Sequence, residues 1–151
     1  MTDLINRPPH YITASGIEAI EVIEQYGLGF HLGSAMQYLL RAGRKGDALA
    51  DMRKAAWYLA RWIDLAPTTH GFEYPSASDD VDGGLGWHTP EAIADAFDLT
   101  GGLREAVIYI LKYAAMSREF FEFEESGEDV GDRTMRALDY VRAEIEREAA
   151  P

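Results

Sequence analysis

A chain of 151 residues, 47% of them apolar, is long enough to bury a real core, so wholesale disorder is excluded. With no cysteine there is no disulfide framework, thiol nucleophile or cysteine zinc site, and four scattered histidines do not replace them. The net charge of -12 opposes direct nucleic-acid binding, but it is uneven: residues 1–75 hold seven Lys/Arg against eight Asp/Glu, and residues 76–151 hold seven against eighteen.

The start, MTDLINRPPH, lacks the basic and then apolar regions of a signal peptide, and no apolar run reaches the roughly 18 residues of a membrane span. The expectation is a cytoplasmic protein with no membrane partner. After an extended arm through Pro8-Pro9-His10-Tyr11, a first amphipathic helix is expected over Gly16–Tyr26. Ile17, Ile20 and Ile23 would form one side and Glu18, Glu21 and Glu24 another, with Gly27 and Gly29 as the stop. A second helix runs from about Leu32 to Ala42, with Leu32, Ala35, Met36 and Leu39 inward and Ser34, Gln37 and Arg41 outward. Asp47 is a good N-cap for a third helix to about Leu65, whose apolar stripe is Met52, Ala55, Ala56, Leu59, Trp62 and Ile63.

Residues 66–87 mix Pro, Gly, Ser and Asp without periodicity and read as a linker. The pattern then restarts. Glu91-Ala92-Ile93 repeats Glu18-Ala19-Ile20 at a spacing of 73, Ala106 to Lys112 matches Ala35 to Arg41 at 71, and Arg136-Ala137 with Tyr140-Val141 matches Lys54-Ala55 with Tyr58-Leu59 at 82. The chain therefore divides into a unit at 1–65, a linker at 66–87 and an acidic unit at 88–151. The fold class is all-α: two diverged three-helix units packed as a pseudo-two-fold bundle. Phe120, Phe121 and Phe123 lengthen the middle helix of the second unit, and EFEESGED stands in place of the short glycine loop.

That glycine loop carries the chemistry. In Arg41-Ala42-Gly43-Arg44-Lys45-Gly46-Asp47, two glycines let a ligand approach the backbone, three cations lie within five residues, and a helix N-terminus follows. A phosphate suits Arg41, Arg44 and Lys45, with Lys54 one turn into the next helix. The bland alternative is a helix C-cap followed by an N-cap. There is no Walker A loop. Tyr11, Tyr38 and Tyr58 could stack a base, Tyr38 three residues from Arg41 and Tyr58 four from Lys54, whereas Trp57 reads as a core or boundary residue. His10 is the candidate general acid or base. Glu18, Glu21, Glu24, Asp47 and Asp51 loosely resemble the magnesium-binding pairs of MazG-like nucleotide pyrophosphatases, but the spacing fits only in part and no metal ligand is assigned.

Residues 8–63 resemble a small phage-borne domain of unknown function, sometimes called SaV-like. The matching stretches are His10-Tyr11, Gly16-Ile17-Glu18, Gly33-Ser34-Ala35, Gln37-Tyr38, Arg41-Ala42-Gly43-Arg44-Lys45, Asp51-Met52-Arg53-Lys54-Ala55 and Tyr58-Leu59. The family usually has Asn where Ser34 stands and Lys where Gln37 stands. The resemblance implies a phage origin and, through a podovirus relative, a nucleotide kinase without a Walker loop that takes dTMP and dGMP, with ATP as phosphate donor and an unassigned need for Mg. It places Ser34 and Gln37 with Tyr38 and Arg41 at the substrate. Three readings compete with the kinase: a non-catalytic binder of nucleotides or of host-defence nucleotide signals, an acidic inhibitor or adaptor acting on a host protein, and a MazG-like pyrophosphatase. Further homo-oligomerisation is left open.

Overall fold

The computed structural model describes Thr13, residues 16–42, Arg44 and residues 46–65, 88–120 and 130–151, with the backbone alone at 116–120 and 130–133. Among these residues the regular structure is six helices: α1 (Ala19–Gln25), α2 (Gly29–Arg41), α3 (Ala48–Leu65), α4 (Pro90–Ala96), α5 (Gly101–Phe120) and α6 (Val130–Ala149). The chain is thus an all-α bundle of two triplets, each a seven-residue helix followed by two longer ones. Within a triplet the second and third helices pack along each other; between triplets, the main contacts set α2 against α5 and α3 against α6.

The first helix is shorter than its sequence pattern suggests. It begins at Ala19 because Glu18 and Glu21 form a capping box, the Glu18 N–H donating to Glu21 Oε2 at 3.0 Å. Ile17 is buried ahead of the helix, held by its N–H donating to Thr13 Oγ1 at 3.0 Å. Ile20, expected on the inner side, is 53% exposed; Ala19, Val22 and Tyr26 are inward instead. The second helix starts three residues earlier than expected, at Gly29, where φ is +72°. Asp47 caps the third as anticipated, accepting from the Ala50 N–H at 3.2 Å.

These boundaries also correct one internal match. The N-caps Glu18 and Thr89, and the C-caps Tyr26 and Phe97, are each 71 positions apart, not 73. The same spacing pairs Val22 with Ile93, Leu28 with Leu99 and the fully buried Ala35, Met36, Leu39 and Leu40 with Ala106, Val107, Ile110 and Leu111. It changes once, to 82, after the second helix, where Ala55 and Leu59 correspond to Ala137 and Val141. A single apolar core runs through both triplets. Tyr26 links them, its hydroxyl donating to the His88 carbonyl at 2.8 Å, and burial followed by the Glu91 charge pushes its pKa up to about 12.

Candidate functional site

On α2, residues 30, 34, 38 and 41 recur at helical spacing and so lie along one side. That side meets α3. Arg41, in the last turn of α2, donates from Nε and Nη2 to the two carboxylate oxygens of Asp51 at 3.2 and 2.8 Å. Asp51 is 1% exposed, so this fork compensates a charge that the interior would not otherwise hold. The pair also clamps the base of the loop, since it joins the residue before the loop to the first turn after it.

One turn further, Lys54 Nζ lies 5.2 Å from the centroid of the Tyr38 ring and the Arg41 guanidinium carbon 5.6 Å from it. Tyr38 stacks on Tyr58, centroids 6.1 Å apart and planes 14° apart. Tyr58 in turn holds two more rings edge-on: Trp57 at 5.1 Å and Phe30 at 5.9 Å, with His31 against Phe30 at 5.4 Å. Phe30 is 64% and Trp57 60% exposed. The core-or-boundary expectation for Trp57 is therefore corrected: in α3 the inward stripe is Met52, Ala55, Leu59 and Trp62, and position 57 falls outside it.

The sequence-predicted residues divide into two groups. Tyr38, Arg41, Lys54 and Tyr58 come together, with Ser34 half-buried and Gln37 exposed on the same helix. Arg44 turns away to the second triplet, its guanidinium over the Phe97 ring, and lines a cleft of about 340 Å³ with Ala42, Met52, Leu103 and Glu144. Its side chain is 23% exposed. His10, Tyr11, Gly43 and Lys45 lie outside the described residues.

Three of the five carboxylates considered for a metal are engaged otherwise, Glu21 at the Glu18 N–H, Asp47 at the Ala50 N–H and Asp51 with Arg41. Among the described residues no three His, Cys, Asp or Glu side chains are grouped to hold a metal ion. No helix there is long and apolar enough to cross a membrane.

Residues 5–60 match the family DUF3310, described as a protein of unknown function. That stretch covers α1, α2 and most of α3, and so contains Phe30, Tyr38, Arg41, Asp51, Trp57 and Tyr58. The chain is also similar to the Gene 1.7 protein of Enterobacteria phage T3, 37% identical over 62 residues, which is 36% of this chain and 38% of the phage T3 protein. The match thus spans little more than a third of that relative's length, and the likeness is to a phage protein of unknown function. No solved structure matches.

Sequence reasoning missed Phe30, and it read Asp51 only as a metal candidate. Both carried a signal. Phe30 is four residues before Ser34 and eight before Tyr38, on the side already chosen for ligand contacts. Asp51 interrupts the apolar stripe one position before Met52 and four before Ala55, the mark of a buried acid that needs a cation.

Proposed function

We propose that the chain binds a nucleotide through its first triplet. The base stacks on the exposed rings of Phe30 and Trp57, and the phosphate runs along Lys54 and Arg41 toward the glycine loop. What supports this reading above all is the pair of large aromatics left 64% and 60% exposed around one tyrosine, next to a lysine and an arginine. Base stacking on an aromatic is worth about 1–3 kcal/mol and accepts any base, and cations alongside supply the charge-assisted contacts that phosphate needs. Phosphoryl transfer from ATP is the finer version, and it rests on the resemblance to the phage nucleotide kinase alone.

The test is calorimetry of the full chain with dTMP, dGMP and ATP, beside the double variant Phe30→Ala, Trp57→Ala. The variant is expected to bind about a hundredfold more weakly. Its melting temperature should stay within about 3 °C of the parent, because both rings are mostly exposed. Unchanged affinity in the variant overturns the placement of the base, and no binding by the parent overturns the reading itself. Incubation of dTMP or dGMP with ATP and Mg, followed for the diphosphate, then decides between turnover and binding alone.

A further inference from the structure

At about 3.6 residues per turn, the side of α3 opposite its inward stripe of Met52, Ala55, Leu59 and Trp62 falls on Arg53, Trp57 and Arg61. All three are exposed. They stand four residues apart, so about 6 Å of helix separates each from the next. Lys54 flanks the stripe beside Arg53, over the Tyr38 ring, and Asp64, one turn past Arg61, ends it. Among the described residues no ion pair involves Arg53, Lys54 or Arg61. Cations thus lie on both sides of the exposed indole. In the second triplet, the spacing of 82 puts Met135, Asp139 and Ala143 at the same places, with no cation among them.

We propose that this stripe takes one internal nucleotide of a short single-stranded oligonucleotide: its base on Trp57, the phosphate on one side with Arg53 and Lys54, and the phosphate on the other with Arg61. The inference rests on the nucleotide-binding reading for Trp57 as a base platform, and it adds the class of ligand. A mononucleotide carries phosphate on one side of its base and leaves Arg61 without a use, whereas a nucleotide within a strand carries phosphate on both. An aromatic platform between cations holds a strand without regard to its sequence. The net charge of -12 opposes a long strand, but the stripe faces away from the acidic triplet. α6 lies against the inner side of α3, at about 8–10 Å between helix axes, and at physiological salt exposed charges are screened beyond about 8 Å.

The experiment compares three ligands by calorimetry of the full chain at several salt concentrations: dTMP, the dinucleotide TpT with its one internucleotide phosphate, and the trinucleotide TpTpT, whose middle base has a phosphate on each side. TpTpT should bind about fivefold more tightly than TpT. Two phosphate contacts on a single strand give a slope of about -1.4 in log affinity against log salt, and one contact gives about -0.7. Arg61→Ala should bring TpTpT to the affinity and the slope of TpT and leave dTMP as in the parent, and Arg61→Lys should restore most of the difference.

Arg142→Ala, which removes an exposed cation from α6, is the control for charge alone and should change nothing. Equal affinity for TpT and TpTpT in the parent, TpTpT binding unchanged by Arg61→Ala, or an equal loss in Arg142→Ala would each overturn the proposal. With dTMP still bound in any of these cases, the nucleotide reading stands. A parent chain that binds TpTpT through Arg61 but not dTMP removes the mononucleotide reading and leaves the stripe, and one that binds none of the three removes both.

Discussion

Where its second and third helices cross, each triplet lays one tyrosine ring on another: Tyr38 on Tyr58 at 6.1 Å, Tyr109 on Tyr140 at 5.8 Å. The spacings of 71 and 82 make these the same two positions, and they bring Lys54 and Arg41 into correspondence with Arg136 and Lys112. The surroundings differ. Phe30 corresponds to Gly101, Trp57 to Asp139, and the basic loop to an acidic stretch outside the described residues. A stack present in both triplets, whichever loop stands beside it, is most simply a packing device of the helix crossing. Beside the stack, the first triplet carries two large aromatics more than half exposed, Phe30 and Trp57, whereas among the described residues of the second the most exposed aromatic is Tyr140, at 37%.

The comparison breaks most visibly at the equivalent cations. Arg41 pairs with a buried carboxylate, whereas Lys112 pairs at 2.8 Å with Glu91 in the open. Arg41→Ala should strand the Asp51 charge and cost about 3 kcal/mol or more, lowering the melting temperature by roughly 10 °C. Lys112→Ala, discounted for solvent screening, should cost under about 0.5 kcal/mol. Comparable losses in thermal melts of the two variants would end the distinction.

A smaller effect is expected at Gly102, whose counterpart is His31. α6 approaches so closely there that an added Cβ would lie 2.7 Å from Glu144 Cγ and 2.9 Å from the Tyr140 carbonyl oxygen. Glu144 is itself held, accepting from the Gly102 N–H at 2.8 Å and paired with Arg147. Gly102→Ala should destabilise by about 2 kcal/mol even though alanine is the better helix former by about 1 kcal/mol. A stabilised variant in urea unfolding would show that the two helices have room to part.

Tyr26 and its counterpart Phe97 differ by one hydroxyl. Tyr26→Phe should cost about 1 kcal/mol through loss of the bond to His88. Because the folded pKa of Tyr26 is raised from 10.0 to about 12, its contribution is complete below pH 10 and lost as pH rises toward 12. The variant should lack that part of the alkaline loss, which unfolding curves at successive pH values would measure. The smallest effect concerns Glu91, whose pKa the Lys112 hydrogen bond, and then the bond to its own backbone, hold below the ordinary 4.5. Its slight stabilisation is present above pH 4.5 and fades as pH falls through the lowered value, and Glu91→Gln should remove that slope from acid titrations.

The helices could be read from the sequence because apolar positions such as Leu32, Met36 and Leu39 recur at 3.6-residue spacing and the cap Asp47 is a local signal. The start of the first helix was less legible. Ile17, Ile20 and Ile23 satisfy a helical period, but the Glu18 capping box starts the helix at Ala19, three residues later than expected, so Ile17 packs ahead of the helix and Ile20 is left exposed. At the site, composition identified the cations and the tyrosines. It could not reveal that Arg44 belongs with Phe97, because a contact between residues 53 positions apart depends on how two triplets meet and not on any local pattern.

That meeting has a consequence for folding. α2 packs on α5 and α3 on α6, so each helix at the junction faces the helix in the same position of the other triplet. Such a junction does not require that both halves come from one molecule. Two chains refolding at high concentration can trade second triplets, each first triplet closing on its neighbour's α5 and α6 with every interface preserved. The 22 residues between Leu65 and His88 then decide between the closed monomer and the exchanged dimer through the effective concentration they impose. Lengthening that segment should shift material toward exchanged pairs, which elute at twice the mass and convert to monomers only as fast as the chain unfolds.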